Sequence, residues 1–281
     1  MSGRIGDDWI ALVMGSPVSQ SLSPVIHEAA FRTDGRAGSF GAVECAPEEL
    51  GSLVEECRAC GLVGASVTMP LKEVVVGWCD ELSADAVALR AVNCLVFDAG
   101  SVIGHNTDGS GCASALARAG ATIRGDGAVV LGAGGTARSV ALALARLGAD
   151  VTLVNRTESR ARAAAIDLSM LPDLEGTVVA GDPESLHGAR ILVNATSVGM
   201  GTQETLVPAD MLHPDLVVLD AVYSPLETRL LREARAAGAR AVDGLWMLVD
   251  QARLQQRLWF GVMPDAAVMR RAAEARLATR Q

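Results

Sequence analysis

Lysine is nearly absent from this chain, since Lys72 is the single lysine among 24 basic residues in a sequence of 281. Aromatic residues are scarce as well, at 3% of the sequence, and Tyr223 is the single tyrosine. The formal charge at pH 7 is −9, and an acidic surface does not attract phosphate backbones or anionic membranes. No apolar run approaches the ~18 residues that a transmembrane helix requires. We therefore expect neither a nucleic-acid partner nor a membrane partner.

Composition excludes other classes of protein. With 50% hydrophobic and 20% charged residues, the chain is too apolar to be disordered. Asp7 and Asp8 precede the first short apolar run, which is unlike a secretory signal. Six cysteines in a chain of this length predict reduced thiols and a cytoplasmic protein rather than a disulfide scaffold. The four histidines show no metal-ligand spacing with cysteine or aspartate, so we expect no metal.

Apolar runs typical of strands alternate with helical patterns along most of the sequence, which predicts an α/β fold with largely parallel sheets. At about 150 residues per domain, the length indicates two domains. The pattern restarts near residue 109, and the last stretch, Leu245–Gln281, contains two helical patterns without a strand. We therefore predict a first domain over residues 1–108, completed by 245–281, and a second domain over 109–244.

The elements predicted in the first domain are strands at Trp9–Gly15, Ser39–Cys45, Leu62–Thr68, Ala91–Asp98 and Ser101–Gly104, helices at Ser23–Thr33 and Pro47–Cys60, and a short helix after Pro70. Those predicted in the second domain are a helix from Gly109 to Ala119, a strand, turn and helix from Gly127 onward, the strand Val151–Asn155 with a helix after it, and strands near Val178, Ile191, Val217 and Ala241.

A glycine-rich turn follows the apolar run Ala128–Leu131 and opens a helix that extends to Leu147. Its spacing fits G-x-G-x-x-G/A, in which the first glycine allows the tight turn and the second lets the backbone approach a pyrophosphate. The helix N-terminus then supplies N–H donors to the anion. This context predicts dinucleotide binding, although a merely tight strand-to-helix turn would carry the same glycines. The turn residues assigned to the cofactor are Gly132, Ala133, Gly134, Gly135 and Thr136.

The end of the next strand distinguishes the two nicotinamide cofactors. An NAD site usually places Asp or Glu there, about 20 residues after the glycines, to hold the ribose 2′-hydroxyl. This chain has Asn155, Arg156 and Thr157 at that position, with Arg160 one helical turn further on. No carboxylate there repels a 2′-phosphate, and two guanidinium groups could bind it, so the sequence predicts NADP. The alternative is that these are solvated residues at the start of a helix.

Two serines, Ser21 and Ser23, lie next to Pro24 at the start of a predicted helix. Ser23 could simply be the N-cap, with Pro24 at the first helical position. Alternatively, two hydroxyl groups beside a helix N-terminus could hold a carboxylate. The residues alone do not separate these interpretations.

Lys72 comes shortly after the predicted strand Leu62–Thr68, and ligands of open α/β sheets bind at the carboxyl ends of strands. A lone lysine is ordinarily a solvated surface cation. Since this chain uses arginine everywhere else, however, its one lysine indicates a task that arginine cannot perform. Proton exchange near neutral pH is such a task, because a guanidinium group does not deprotonate.

Asn93 and Asp108 are the other polar residues that suggest a site in the first half. Asn93 lies within the apolar run Ala91–Val96, so its amide either ties the backbone together or contacts a ligand. Asp108 lies just before a predicted helix. It is either an N-cap or a residue that faces a cleft, and the two roles are compatible.

These motifs occur in an order that resembles the shikimate dehydrogenase family along nearly the whole chain. The matching segments are SLSP at 21–24, SVTMPLK at 66–72, AVNCL at 91–95, GHNTDGSG at 104–111, GAGGTAR at 132–138, NRTESR at 155–160, NATSVGM at 194–200, the residues around Tyr223, and DGLWMLVDQ at 243–251. Two segments depart from the family's usual pattern. Ser66 replaces the asparagine of Asn-Val-Thr, and Arg90 and Cys94 replace the glycine and threonine of Gly-Ala-Val-Asn-Thr.

The resemblance implies that residues 1–108 and 245–281 form a substrate-binding catalytic domain and that 109–244 form a Rossmann dinucleotide-binding domain. It implies NADP-dependent interconversion of 3-dehydroshikimate and shikimate, a step of aromatic amino-acid biosynthesis, with Lys72 and Asp108 as the catalytic pair. The residues it assigns to the substrate are Ser21 and Ser23 at the carboxylate and Thr68, Asn93, Tyr223 and Gln251 at the ring substituents. Those it assigns to the nicotinamide end of NADP are Thr196, Met200, Gly244 and Met247.

Two alternatives to a shikimate dehydrogenase stay open. The first is a paralogue that acts on quinate or on an amino analogue of shikimate, because the short Ser66 could make room for another ring substituent. Ser23 favours shikimate, since family members that use quinate have threonine at that place. The second alternative is a nucleotide-binding regulatory protein without turnover, against which the intact Lys72 and Asp108 argue. The sequence does not distinguish a monomer from a homodimer.

Overall fold

The computed structural model describes residues 4–279 and divides the chain into two compact units. The first unit combines the residues up to Thr107 with those from Ala252 onward, and the second runs from Asp108 to Gln251. The return to the first unit comes later than the crossing predicted at 244/245. It falls inside one unbroken helix, Gly244–Phe260, and an apolar stripe that continues through a helix gives no sign of where its packing partners change.

Both units contain sheets and helices, and the structure confirms the predicted α/β class. The strands are β1 (Trp9–Gly15), β2 (Ser39–Glu44), β3 (Gly64–Val67), β4 (Glu81–Leu82), β5 (Cys94–Asp98), β6 (Ser101–His105), β7 (Gly127–Leu131), β8 (Asp150–Val154), β9 (Val178–Ala180), β10 (Ile191–Asn194), β11 (Val217–Asp220) and β12 (Arg240–Val242). The helices are α1 (Ser23–Thr33), α2 (Leu50–Ala59), α3 (Ala84–Leu89), α4 (Asp108–Arg118), α5 (Gly135–Arg146), α6 (Glu158–Ser169), α7 (Arg229–Ala236), α8 (Gly244–Phe260) and α9 (Ala266–Ala278). Across residues 4–279, no helix is long and apolar enough to cross a membrane.

Most predicted elements are present, and β1 and α1 have the predicted bounds. The predicted hairpin joins β5 to β6 through Ala99 and Gly100, which both adopt positive φ values, of 47° and 86°, as a two-residue type I′ turn requires. The elements β4 and α3 were not predicted, because they are too short for a clear periodic signal. The helix α7 was also missed, although its eight residues have one apolar and one charged face. The helix predicted directly after Pro70 is wrong in position and type, since a 3₁₀ helix begins at Val74 instead.

The sheet of the first unit is mixed and has the strand order β2-β1-β3-β5-β6-β4. Strand β1 pairs in parallel with β2 and β3, whereas β5 pairs antiparallel with β3 and β6. Both faces of this sheet are buried at β3. Ala65 and Val67 of β3 face a core that contains Leu12 and Met14 of β1, and the opposite face is covered by Trp259 of α8.

Trp259 fixes the position of α8 on that face. Its indole Nε1 donates a hydrogen bond to the carbonyl oxygen of Leu95 in β5, at 2.8 Å. The ring lies so close to β3 that a Cβ atom on Gly64 would be 2.0 Å from Nε1. His27 of α1 completes the cluster, stacking on Phe40 with ring centroids 4.3 Å apart and lying 5.1 Å from Trp259. The residues after 252 therefore belong to the core of the first unit.

The sheet of the second unit is entirely parallel, with the strand order β12-β11-β10-β7-β8-β9. This is the doubly wound Rossmann order, in which the first strand and the fourth are neighbours at the centre of the sheet. Connections leave the sheet in opposite directions on either side of that point, between β7 and β10. Ligands bind outside the carboxyl ends of the strands at this switch point, which is where the predicted glycine turn lies.

Replacing Gly64 by alanine is expected to destabilise the first unit. The new Cβ would overlap the indole of Trp259 and approach the carbonyl oxygen of Leu95 to 2.6 Å, and overpacking of this kind costs about 1–3 kcal/mol. Gly77→Ala is the matched control, because its Cβ would meet no atom within 4 Å, and we expect a change below about 0.5 kcal/mol. Urea unfolding of both variants measures the difference, and equal stability would contradict the close approach.

Lowering the pH is expected to destabilise the first unit through His27. Burial lowers the pKa of this imidazole to about 3, from an ordinary value of 6.5 in the unfolded chain. Protons therefore bind only the unfolded state as the pH falls below 6.5, and this group alone should lower the free energy of unfolding by about 1 kcal/mol between pH 7 and 5.5. His27→Phe keeps the ring stacking and should lose that component. Urea unfolding at both pH values tests this, and an unchanged pH dependence in the variant would refute it.

Candidate functional site

The glycine turn after β7 has the geometry of a phosphate cradle. Gly132 has φ of 119°, and its Cβ would lie 3.2 Å from Cγ2 of Thr196 and 3.3 Å from Cβ of Ala137. Only glycine is therefore suited to this turn, and the small, buried Ala137 lets α5 approach the strand. At Gly134 and Gly135, in contrast, a Cβ would meet no atom within 4 Å. The backbone at the N-terminus of α5 thus borders open space, where it can approach a ligand closely.

Two arginines lie beyond the carboxyl end of β8. The Nδ2 amide of Asn155 donates to the carbonyl oxygen of Thr157, at 2.9 Å, and shapes the turn into α6. Arg156 and Arg160 are exposed, and neither forms an ion pair with another residue between 4 and 279. Glu158, the nearest carboxylate in sequence, pairs with Arg162 at 2.5 Å. Two uncommitted guanidinium groups at this strand end are suited to a phosphate.

A buried polar cluster joins the carboxyl ends of β10 and β11. Asp220, with 0% exposure, accepts hydrogen bonds from the Asn194 amide at 2.9 Å, the Val222 N–H at 3.0 Å and the Thr228 hydroxyl at 2.6 Å. Burial raises the pKa of this carboxyl group, and these hydrogen bonds oppose the rise. The Asn194 side-chain oxygen also accepts the Thr196 hydroxyl at 2.7 Å. The cluster therefore holds the loop that contains Thr196.

Sequence reasoning missed Asn194 and Asp220 as organising residues. The available signal was a polar residue at the end of each of two apolar strands, Ile191–Asn194 and Val217–Asp220. At such positions a buried amide or carboxylate needs partners from a neighbouring strand end. The cluster lies at the same edge of the sheet as the glycine turn, because parallel strands share one carboxyl edge.

The remaining second-unit residues assigned by resemblance lie near the same strand ends. Gly244 opens α8 so close to β11 that its Cβ would be 2.5 Å from the carbonyl oxygen of Ala221. Met247, one turn later, is buried, whereas Met200 is exposed and Tyr223 is half-buried. The structure thus brings these residues to the loops and helix that follow β10, β11 and β12.

In the first unit, the predicted N-cap role of Ser23 is wrong by one position. The N-cap of α1 is Leu22, whose side chain cannot accept a hydrogen bond, and Ser23 is the first helical residue. The Ser21 hydroxyl accepts the Ser23 N–H instead, at 3.2 Å. Within residues 4–279, the Ser23 hydroxyl itself has no hydrogen-bond partner. The two serines therefore lie together at this helix start, with one hydroxyl uncommitted.

Lys72 lies in the turn between β3 and the 3₁₀ helix at Val74–Trp78, and it is half-buried. Its carbonyl oxygen accepts the Val92 N–H at 2.8 Å, and the Thr68 N–H donates to the carbonyl oxygen of Met14 at 3.0 Å. Backbone bonds to two neighbouring segments thus hold this turn against the carboxyl ends of the parallel strands β1 and β3.

Asn93 fills the first of its two predicted roles, since it ties the backbone together. Its Oδ1 accepts the Thr107 N–H at 2.7 Å, and its Nδ2 lies 3.0 Å from the Thr107 hydroxyl oxygen. Asp108 follows directly and is the first residue of α4 rather than the residue before it, so its predicted N-cap position is wrong by one. Gln251 is largely buried in the second unit, where its Nε2 donates to the carbonyl oxygen of Leu248 at 2.9 Å.

Of the three residues that depart from the family pattern, Ser66 and Cys94 lie in the core of the first unit, whereas Arg90 is exposed and ends α3 with a φ of 50°. Ser66 is buried, and its hydroxyl donates to Oε1 of Gln255 at 2.7 Å. The space expected beside this short side chain is therefore occupied by a glutamine from α8. Cys94 is completely buried, and burial raises the pKa of its thiol, so it is a packing residue.

Among the described residues, no group of His, Cys, Asp or Glu side chains could hold a metal ion.

Comparisons with known proteins agree with this geometry. Residues 13–95 match the family model described as the shikimate dehydrogenase substrate binding domain, and residues 244–274 match the shikimate 5′-dehydrogenase C-terminal domain. The shikimate dehydrogenase (NADP(+)) of Pyrococcus abyssi is 44% identical over 270 residues, which cover 94% of this chain and 97% of that protein. The chain belongs to the shikimate dehydrogenase family. Its departures at Ser66, Arg90 and Cys94 are therefore variations within that family.

Two solved structures show how widely this fold is used among similar proteins. The shikimate 5-dehydrogenase of Thermus thermophilus, solved in complex with NADP(H) and shikimate, has a TM-score of 0.87 and 38% identity, covering 94% of this chain and 98% of that one. The quinate dehydrogenase of Corynebacterium glutamicum, in complex with NAD, has the same TM-score and 33% identity, covering 95% and 98%. The fold of a shikimate dehydrogenase therefore does not decide between these substrates.

Proposed function

We propose that this protein is an NADP-dependent shikimate dehydrogenase, which reversibly reduces 3-dehydroshikimate to shikimate. The observation that carries the proposal is the full-length similarity to the Thermus thermophilus enzyme that holds NADP(H) and shikimate. The open glycine cradle and the uncommitted arginines of the second unit support the cofactor half of the reaction. The first unit would then bind the substrate, and the second would bind the dinucleotide.

The residues of the second unit fit NADP. The backbone N–H groups at the start of α5, from Gly134 to Thr136, would hold the pyrophosphate with the positive end of the helix dipole behind them. Arg156 and Arg160 would hold the 2′-phosphate. The loops that contain Thr196 and Met200, together with Gly244 and Met247, would border the nicotinamide. When bound, the cofactor would accept the hydride in its oxidised form and supply it in its reduced form.

Ser21 and Ser23 would hold the substrate carboxylate. The Ser23 hydroxyl is uncommitted and the Ser21 hydroxyl retains its O–H donor, because it only accepts a hydrogen bond from the Ser23 N–H. The N-terminus of α1 adds a partial positive charge at the same place. The ring substituents would be contacted by Thr68, Asn93, Tyr223 and Gln251.

Lys72 would exchange the proton on the reacting oxygen, with Asp108 as its acidic partner. In the reducing direction, the Lys72 ammonium gives a proton to the carbonyl oxygen that becomes the alcohol. In the oxidising direction, the neutral amine takes the hydroxyl proton. The half-buried position of Lys72 after β3, and its being the single lysine of the chain, support this role.

Quinate is the second candidate substrate, because the quinate dehydrogenase of Corynebacterium glutamicum is also similar over the full chain. Two observations favour shikimate. Ser23 can rotate its hydroxyl freely toward a carboxylate, whereas the methyl group of threonine would restrict it. Gln255 occupies the space beside Ser66 that an additional ring substituent could otherwise enter.

We expect the oxidation of shikimate to be favoured over that of quinate by up to ~10²-fold in kcat/KM, since a pocket rejects one added hydroxyl group only weakly. The measurement is NADPH absorbance with each acid at one pH, and NAD is tested in parallel. If kcat/KM for quinate equals or exceeds kcat/KM for shikimate, quinate is the preferred substrate and the proposal is wrong on this point. No turnover of either acid would favour a regulatory protein.

Arg156→Ala is expected to weaken NADP binding about ten- to a hundredfold, because one charge-assisted bond to the 2′-phosphate is lost. NAD, which lacks that phosphate, should be affected less than twofold. Arg190→Ala is the control, since this exposed arginine lies at the opposite edge of the same sheet, where it pairs with Asp215. Titration of both cofactors by calorimetry tests the role, which equal losses for NADP and NAD would disprove.

Lys72→Met is expected to lower kcat about 10²–10⁴-fold, because the group that exchanges the proton is removed. Lys72→Arg retains the positive charge but not the proton exchange, so it should be similarly slow. An amine-selective reagent can modify only Lys72 and the N-terminus, and shikimate with NADP should slow its reaction at Lys72. Near-normal turnover of Lys72→Met would contradict the role.

A further inference from the structure

Gln255 joins two strands of the first unit through one buried carboxamide. Its exposure is 1%, and both of its amide atoms are used. Oε1 accepts the Ser66 hydroxyl at 2.7 Å, and Nε2 donates to the backbone carbonyl oxygen of Asn93 at 3.1 Å. A single side chain from α8 therefore fixes a residue of β3 and the residue immediately before β5.

Hydrogen bonds to neighbouring segments hold both the backbone and the side chain of Asn93. Its carbonyl oxygen accepts the Val67 N–H at 2.8 Å in addition to Gln255, and its own N–H donates to the carbonyl oxygen of His105 at 2.9 Å. Its side chain is bonded to Thr107. The position of the Asn93 side chain thus depends on three segments, and the contact with α8 comes from Gln255.

Ser66 also connects Gln255 to the substrate side of β3. Side chains alternate along a strand, and Ala65 and Val67 face the core on the far side. Ser66 therefore faces α8, and Thr68, two residues further on, continues the same alternation beyond the strand end. Gln255 thus bonds directly to Asn93 and to Ser66, which is two residues before Thr68 on the same strand.

We propose that Gln255 is a positioning residue for the substrate, which acts through Asn93 and Ser66 without touching the substrate itself. This inference rests on the proposed function and on the roles of Asn93 and Thr68 in it. The carboxamide of Gln255 takes up the space left by the short Ser66, at the position where the family usually has a longer asparagine. Since a misplacement of about 1 Å weakens a substrate contact strongly, loss of Gln255 should impair shikimate binding.

The decisive comparison is between Gln255→Met and Gln256→Met. Gln256 is the next residue on α8, is equally buried at 1%, and bonds to Nδ1 of His27 at 2.9 Å rather than to Asn93. Both variants remove one buried carboxamide and retain the side-chain length. We expect Gln255→Met to raise the KM and the Kd for shikimate about tenfold, with the KM for NADP unchanged. Gln256→Met should lower thermal stability while changing the shikimate KM less than twofold.

Ser66→Ala is a second and less disruptive variant, which keeps the proposal testable if Gln255→Met does not fold. It removes only the hydroxyl group on Oε1, and we expect a three- to fivefold rise in the shikimate KM. If the two residues act as one unit, the double variant Ser66→Ala, Gln255→Met should be no worse than Gln255→Met alone, because coupled positions are not additive. Multiplied effects in the double variant would show independent roles and would overturn the proposed coupling.

The outcomes also separate this inference from the proposed function. If the wild-type protein does not oxidise shikimate with NADP, the proposed function fails. If the wild type is active but both Gln255→Met and Ser66→Ala keep a normal shikimate KM, only the positioning role of Gln255 is wrong. Equal rises in KM for the Gln255 and Gln256 variants would indicate a general disturbance of α8 and would likewise overturn it.

Discussion

The contact of α8 with strands β3 and β5 is the constraint on which the first unit depends. Gln255 and Trp259 are four residues apart on the helix and bond to the carbonyl oxygens of Asn93 and Leu95, which are two residues apart on the chain. Four residues advance a helix by about 6 Å, and two residues advance a strand by about 6.6 Å. The two spacings nearly coincide, so the pair of bonds fixes the helix in one register, and Gly64 makes room for it.

In the second unit, the corresponding constraint is the shared carboxyl edge of a parallel sheet. The glycine turn follows β7, the arginines follow β8, and Thr196 follows β10. Each of these segments is positioned by the end of its strand, and backbone hydrogen bonds to neighbouring strands hold that strand in place. Asp220 and Asn194, the last residues of β11 and β10, hold the loops that follow these strands through hydrogen bonds, which also compensate the buried carboxylate. The sheet therefore determines the positions of the residues at the candidate site as much as the loops do.

The glycine turn, the arginines and most strands were predictable because each depends on neighbours in sequence. A turn that needs positive φ selects glycine, and a buried strand selects a short apolar run, whatever the rest of the chain does. The Ser66–Gln255 bond joins residues 189 positions apart, and no local pattern indicates that a glutamine in an apolar stripe faces a serine. The same holds for Asp220, whose partners Asn194 and Thr228 lie 26 and 8 residues away. The predictions of Ser23 and Asp108 as N-caps were wrong by one residue, because the sequence does not locate the start of a helix to a single position.

The first unit is also interrupted in sequence, because its strands are complete by His105, whereas the second half of α8 and all of α9 follow the second unit. During synthesis, chains emerge from the ribosome N-terminus first and fold domain by domain. The second unit is fully emerged as soon as Gln251 is, whereas at that moment the first still lacks Gln255 and Trp259. Until they emerge, β3 and β5 lack the cover of α8, and the carbonyl groups of Asn93 and Leu95 lack the hydrogen bonds from Gln255 and Trp259. The sheet of the first unit therefore stays unfinished until the residues that follow the second unit have emerged.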